Sequence, residues 1–234
     1  MKIKFLGHSA LLIQEGKIKA LVDPFLSHNP MYQKHPDDTL GITHIFITHA
    51  HGDHIGDSLE IAKKNHSLII CNAEIGQILY RKDKTLNIHT MHIGGRVLID
   101  NMRIKMTPAL HGSGYVDENG IVQDGGNPGG FVIEINGQKL YHAGDTGLTM
   151  DMKLLEREHI DIAFLPIGGS YTMDIEDAVE ATRFIDPKIV VPMHYNTFGK
   201  IKADPEEFKT ILLGHHVEIV KPGETIDLRE ALNE

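Results

Sequence analysis

Residues 49–54 read His49-Ala50-His51-Gly52-Asp53-His54, three histidines and an aspartate within six positions. The apolar run just before them, 44–48, reads as a short strand, which would deliver the cluster at a strand end. Alternate residues of an extended chain face the same way, so His49 and His51 are placed to share one ion. Gly52 permits a sharp turn, after which Asp53 and His54 can face a second ion. Imidazole and carboxylate ligands suit zinc, iron and manganese and need no thiol. With 16 histidines among 234 residues, an HxHxDH run arises by chance in roughly one such chain in two hundred. A solvated histidine-rich loop is therefore the weaker reading.

Four ligands cannot complete two sites, so further histidines and a carboxylate are expected on later loops. His111 follows the strand-like run through Met106-Thr107-Pro108, Asp145 lies in His142-Ala143-Gly144-Asp145-Thr146-Gly147, and His194 ends Ile189-Val190-Val191-Pro192-Met193. Strands supply rigidity and the loops after them supply chemistry. Taken singly, each of these residues is more often structural than a ligand.

Working outward, residues 1–22 read as strands, with Gly16 marking a turn and Asp23-Pro24 ending the run. Helices are expected at 58–65 and 73–81 around a buried strand at 67–71. Strands follow at 87–92, 96–99, 103–107, 130–135 and 139–142, with Asn136-Gly137 as a hairpin turn. Beyond Asp145 helices and strands alternate: helices at 151–158, 174–185 and 205–213, strands at 160–166, 188–193, 217–220 and 225–228. Asp204-Pro205-Glu206-Glu207 has proline at the first helical position and acids near the dipole's positive end. The glycine-rich stretch 112–130 reads as a long functional loop. No linker or repeat divides the chain, so residues 1–234 are expected to form one domain. Hairpins mixed with β-α crossovers suggest two packed sheets with helices outside.

The ordered set HxHxDH, then His111, then Gly144-Asp145-Thr146, then Pro192-Met193-His194 resembles the metallo-β-lactamase superfamily over nearly the whole chain. Gly7-His8-Ser9, Val22-Asp23-Pro24-Phe25 and His194-Tyr195-Asn196-Thr197-Phe198 look like a widespread prokaryotic branch of uncharacterised metal-dependent hydrolases. That branch is related to the ascorbate-6-phosphate lactonase and N-acyl-phosphatidylethanolamine phospholipase D groups. The resemblance implies an α+β fold, a four-layer αββα sandwich with the metals at one edge. It assigns one ion to His49, His51 and His111, the other to Asp53, His54 and His194, and makes Asp145 the bridge. Asp23 matches an acid that orients ligand imidazoles from behind. His8 matches a histidine of the lactonase-like branch that faces the cleft or serves the structure.

Two divalent ions about 3.5–4 Å apart can hold a hydroxide and polarise the group it attacks. The expectation is a hydrolase that cleaves a phosphodiester, ester or lactone bond, with Asp53 orienting the nucleophile and handling protons. The alternative is a non-catalytic metal-binding sensor or structural protein, but a structural site would be closed by protein ligands. Lactamases usually place a cysteine where Asp145 stands, so antibiotic hydrolysis is disfavoured. Tyr171, Thr172 and Met173 are candidates to line the cleft, and Gly169-Ser170 replaces an Asp-Asn pair of many relatives.

Net charge is −9 and only one cysteine, Cys71, is present. The charge does not indicate nucleic acid, which stays a conceivable substrate; a small molecule, anionic ones included, is the expected partner. A disulfide within the chain and a thiolate-rich zinc site are excluded. No apolar run reaches the 18 or so residues of a membrane span, and no signal-peptide cleavage pattern follows the N-terminus, so a cytoplasmic protein is expected. Lys200 and Lys202 could attract phosphate, with a solvated charged loop as the stronger reading.

Overall fold

The computed structural model describes residues 1–233. Strands β1 (Lys2–Gly7), β2 (Ala10–Glu15) and β3 (Ile18–Val22) form an antiparallel meander. Parallel strands β4 (His44–Phe46), β5 (Leu68–Cys71) and β6 (Asn87–Thr90) extend it. The crossovers carry the one-turn helix α1 (Gly52–Ile55), α2 (Ser58–Asn65) and α3 (Ala73–Lys82).

A second sheet uses β7 (Arg96–Ile99) and β8 (Met102–Pro108), then, after the small hairpin β9 (Gly114–Val116) and β10 (Val122–Asp124), β11 (Gly129–Ile135) and β12 (Gln138–His142). It continues in parallel through β13 (Ile162–Pro166), helix α4 (Ile175–Ile185), β14 (Ile189–Met193), helix α5 (Pro205–Ile211) and β15 (His216–Val217). The chain then returns to the first sheet, where β16 (Thr225–Asp227) pairs with β1, and ends in α6 (Leu228–Ala231). Each large sheet has seven strands, ordered β16-β1-β2-β3-β4-β5-β6 and β15-β14-β13-β12-β11-β8-β7. This is the expected α+β arrangement of two large sheets with few helices.

The alternation of side chains explains the layering. Leu11, Ile13, Ala20, Val22, Phe46 and Ile70 face the second sheet, where Phe46 meets Phe131 edge to face at 5.3 Å between ring centroids. Their strand neighbours Leu12, Leu21, Ile45, Ile69 and Cys71 face outward and pack with Ile61 and Ala62 of α2 and Ile75 and Leu79 of α3. Both faces of the central strands β4 and β5 are thus buried, which is why they read as continuous apolar runs, whereas β1 alternates and β6 at the sheet edge has no fully buried residue. Among the described residues, no helix is long and apolar enough to cross a membrane.

Three local readings need correction. The helix expected at 151–158 is a 3-10 helix over Met150–Glu158. Its buried residues Met152, Leu155 and Glu158 fall three apart, the repeat at which a 3-10 helix, not an α-helix, keeps one face inward. The stretch 112–130 is not an unpaired loop, because β9 and β10 pair within it. The strand expected at 217–220 reduces to the two-residue ladder of β15. The Asn136-Gly137 turn stands, with φ of 51° and 80°, the left-handed pair that a tight hairpin needs.

Glu158 anchors the 3-10 helix to the outer face of the second sheet, accepting from Lys105 Nζ at 2.8 Å and from both terminal nitrogens of Arg96. Partial burial alone would raise its pKa, but these hydrogen bonds outweigh it and hold the carboxyl at about 2. A carboxyl depressed on folding stabilises above its ordinary 4.5, and that contribution is lost as pH falls toward 2. Glu158→Gln is expected to lower stability at pH 7 by about 1–2 kcal/mol, the shift being discounted because Arg96 is half-exposed. Urea melts at pH 7 and pH 3 check this: the gap between wild type and variant should narrow at the lower pH.

Candidate metal centre

Strands from both sheets end at one edge, and each hands a polar residue to the loop beyond it. Asp23 follows β3, residues 48–54 follow β4, His111 follows β8, Asp145 follows β12 and His194 follows β14. The seven residues expected as ligands all come together there. His49 Nε2 lies 3.0 Å from His51 Nδ1, which lies 3.3 Å from His111 Nε2. Beside this trio stand Asp53, His54 and His194, joined by His8, with ligand atoms within 4.8 Å of one another. Asp145 touches both groups: Oδ2 is 3.5 Å from His111 Nε2 and 3.1 Å from His194 Nε2, and Oδ1 is 3.3 Å from His54 Nε2.

His49 and His51 do not converge as strand neighbours. The β4 ladder ends at Phe46, and Thr48 turns its N–H onto the Asp23 side chain instead of a strand partner. His51 is then the residue that starts α1. It presents its near nitrogen, Nδ1, whereas His49 reaches in with Nε2.

A hydrogen-bonded frame behind the centre fixes which nitrogens face inward. Asp23 is fully buried; Oδ1 accepts from Thr48 N at 2.8 Å, and Oδ2 accepts from the Thr48 hydroxyl at 2.7 Å and from His54 Nδ1 at 2.8 Å. With its proton given to Asp23, the Thr48 hydroxyl accepts from His49 Nδ1 at 3.0 Å. Both rings therefore carry a proton on Nδ1 and turn Nε2 toward the centre. Asp23 is thus placed where an orienting acid was expected. Thr48, which extends that acid's reach to His49, was not singled out from the sequence; its position immediately before His49 is the clue that was available.

His142 fixes the segment leading to Asp145. Its Nε2 donates to the Ser9 carbonyl at 2.8 Å and its Nδ1 accepts from Gly144 N at 3.1 Å. His44 lies apart, against Thr43 and Asp100. His28, His35, His66, His89, His92, His159, His215 and His216 join none of the clusters able to hold an ion among the described residues. Met173 is fully buried and does not line a cleft; its N–H donates to the Thr146 carbonyl, while Tyr171 is exposed. Gly168 is needed at the His194 loop, because a Cβ there would stand 2.2 Å from the His194 carbonyl oxygen.

The centre is short of hydrogen bonds. His54 Nε2, Asp145 Oδ1 and both ring nitrogens of His194 are buried without a hydrogen-bond partner, and His54 Nε2 and His194 Nε2 stand 3.3 and 3.1 Å from Asp145 oxygens. Such a cluster is costly unless a cation sits among the lone pairs. In the metal-free centre the charge collects on His54 and Asp145. Burial, followed by the charge of His54, pushes His49 well below the usual imidazole range. Burial would lower His54 too, but Asp145 and Asp23 outweigh it and hold that ring well above its ordinary value. Burial would raise Asp145, yet His54 and His194 hold it far down. The all-nitrogen-and-oxygen donor set fits divalent ions such as zinc, manganese or iron.

This chain is similar to known proteins in both sequence and fold. Residues 19–195 match the family described as the Beta-lactamase superfamily domain. A UPF0173 metal-dependent hydrolase of Alkaliphilus metalliredigens is 55% identical over 221 residues, covering 94% of this chain and 96% of that protein. Another from Carboxydothermus hydrogenoformans is 44% identical over 231 residues, covering 97% and 100%. The solved structure of Igni18, described as a novel metallo hydrolase from Ignicoccus hospitalis, superposes with a TM-score of 0.86 at 38% identity, covering 96% and 97%. With nearly full-length identity of this order and the family match across the centre itself, the chain belongs to the beta-lactamase superfamily, among its metal-dependent hydrolases.

Proposed function

We propose that the protein hydrolyses a carboxylic ester or lactone of a small molecule, using two divalent ions held by the histidines and aspartates of this edge. The observation that carries the reading is Asp145, a buried carboxylate in contact with histidines of both ligand groups. His49, His51 and His111 would hold one ion, and Asp53, His54 and His194 the other. Ions in those places would bring the pKa of water toward ~7 and polarise the bond under attack.

Asp53 is the proposed catalytic residue. Its side chain is one-third exposed, so it can meet a substrate. Burial would raise its pKa, but the His8 hydrogen bond and the charge of His54 keep it well below the usual carboxylate range. It is therefore an acceptor at neutral pH, with a lone pair left to orient the attacking water besides the one that meets His8. Phosphodiesters rank second. Lys200 and Lys202 do line an opening of about 410 Å³, but Asp174, Glu176, Asp204 and Glu207 line it too. Acids outnumber lysines there, which disfavours an anionic chain.

The test is hydrolysis of p-nitrophenyl esters, simple lactones and bis(p-nitrophenyl) phosphate by metal-loaded protein, with a chelated sample and His49→Ala as controls. Ester or lactone turnover that disappears in both controls is the expected result. Preferential turnover of the phosphodiester would move the assignment to the second reading. Inertness toward all three with two ions bound would favour a sensor.

A further inference from the structure

We propose that His8 is a positioning residue for the second ion, holding the Asp53 carboxylate so that only one of its oxygens is free to ligate. The inference rests on the reading of Asp53 as a ligand. His8 Nε2 lies 3.3 Å from Asp53 Oδ2, and among the described residues it is the only hydrogen-bond donor to that carboxylate. A carboxylate accepts and cannot donate, so Nε2 carries the proton in this pair. The other nitrogen, Nδ1, is paired at 2.9 Å with the Thr197 hydroxyl.

The ring has little room to turn. It is buried, edge-on to Phe25 and Phe198 at 5.7 and 5.4 Å between centroids, and 4.0 Å from the His194 ring. Its backbone carbonyl accepts from His194 N at 2.8 Å, so one residue fixes two neighbours, Asp53 through the side chain and His194 through the main chain. Asp53 stands in the first turn of the four-residue α1 and has no other side-chain anchor among the described residues. Without His8 its carboxylate would be free to rotate, and the ligand oxygen would be ordered only when the ion binds.

His8 could instead be a fourth ligand, since its ring nitrogen lies within the cluster able to hold an ion. Its hydrogen bonding argues otherwise. The inward nitrogens of His54 and His194 have no partner, whereas both nitrogens of His8 are engaged. The hydrogen-bonded nitrogens of His49, His51 and His111 meet only one another, whereas His8 Nε2 meets a carboxylate that takes its proton.

The experiment is cobalt titration of the full chain, followed by calorimetry and the visible d–d spectrum, on wild type, His8→Leu and His8→Gln, with a thermal melt of each metal-free protein. The Gln side-chain amide can donate to Asp53 but is a poor substitute for an imidazole ligand. Because His8 has φ of 60°, the melts report any strain that a substitution adds to the backbone bond to His194, which both variants share. His8→Leu should weaken the second ion by about 10- to 100-fold while the first binds as before. His8→Gln should restore the second affinity and the wild-type spectrum. If His8→Gln is as weak as His8→Leu, with a similar melt, the ring is itself a ligand and the inference falls. If His8→Leu binds both ions as wild type does, Asp53 needs no positioning. A wild-type protein that takes up a single ion would overturn the two-ion reading beneath it, an outcome distinct from either.

Discussion

Asp145→Ala is expected to reduce bound metal from two ions to one at most and to lower turnover by ~10³-fold or more, equivalent to a barrier about 4 kcal/mol higher. Asp145 is almost fully buried and lies within 3.5 Å of inward nitrogens of His54, His111 and His194. It is the one carboxylate in contact with both groups of candidate ligands, so its loss removes the bridge and leaves Asp53 as the only carboxylate against four positive charges at short range. The remaining trio His49, His51 and His111 can still take an ion, because its contacts do not depend on Asp145. Metal content by mass spectrometry, with circular dichroism to establish that the variant is folded, checks the expectation. Two ions retained with full activity would remove Asp145 from the centre.

The second large effect is Asp23→Asn, which acts on folding as well as on metal binding. Asp23 has φ of 44°, a left-handed conformation that asparagine tolerates and alanine does not, so asparagine isolates the hydrogen bonding. Three buried donors converge on this carboxylate, Thr48 N, the Thr48 hydroxyl and His54 Nδ1. An amide turns one accepting oxygen into an NH₂ group and sets donor against donor. The expected loss is about 2–4 kcal/mol of stability from the unpaired groups and a 10- to 100-fold weaker affinity for metal. Chemical denaturation of the metal-free protein isolates the first effect, and titration with a chromophoric chelator the second. An unchanged stability would mean that His54 and Thr48 are held by something other than Asp23.

Much of the fold and of the candidate site can be read from the sequence because each candidate ligand sits just past an apolar run. His49, His51, Asp53 and His54 are adjacent in the chain, so their clustering is local. His111, Asp145 and His194 are separated by dozens of residues, and only their order, matched to a known pattern, singles them out. The structure supplies the reason for that order: β8, β12 and β14 all end at the same edge.

What escapes the sequence is of two kinds. The supporting hydroxyls, Thr48 and Thr197, are chemically ordinary, and their roles exist only when the chain brings them against His49, Asp23 and His8. Local backbone choices are the other kind. The run at 44–48 reads as a strand that continues into the histidines, but the competing acceptor on Asp23 draws Thr48 out of the ladder. The Met150–Glu158 segment has helical composition, yet burial at every third position tightens it to a 3-10 helix. In both, a tertiary contact overrides a local preference.

The central claim is that this edge holds two ions bridged by Asp145. The most direct test is a crystal of the zinc- or manganese-loaded protein, with anomalous scattering measured at the metal edge. Two peaks about 3.5–4 Å apart are predicted, one among His49, His51 and His111 and one among Asp53, His54 and His194, with Asp145 between them. A single peak, or two that leave Asp145 outside both coordination spheres, would contradict the account.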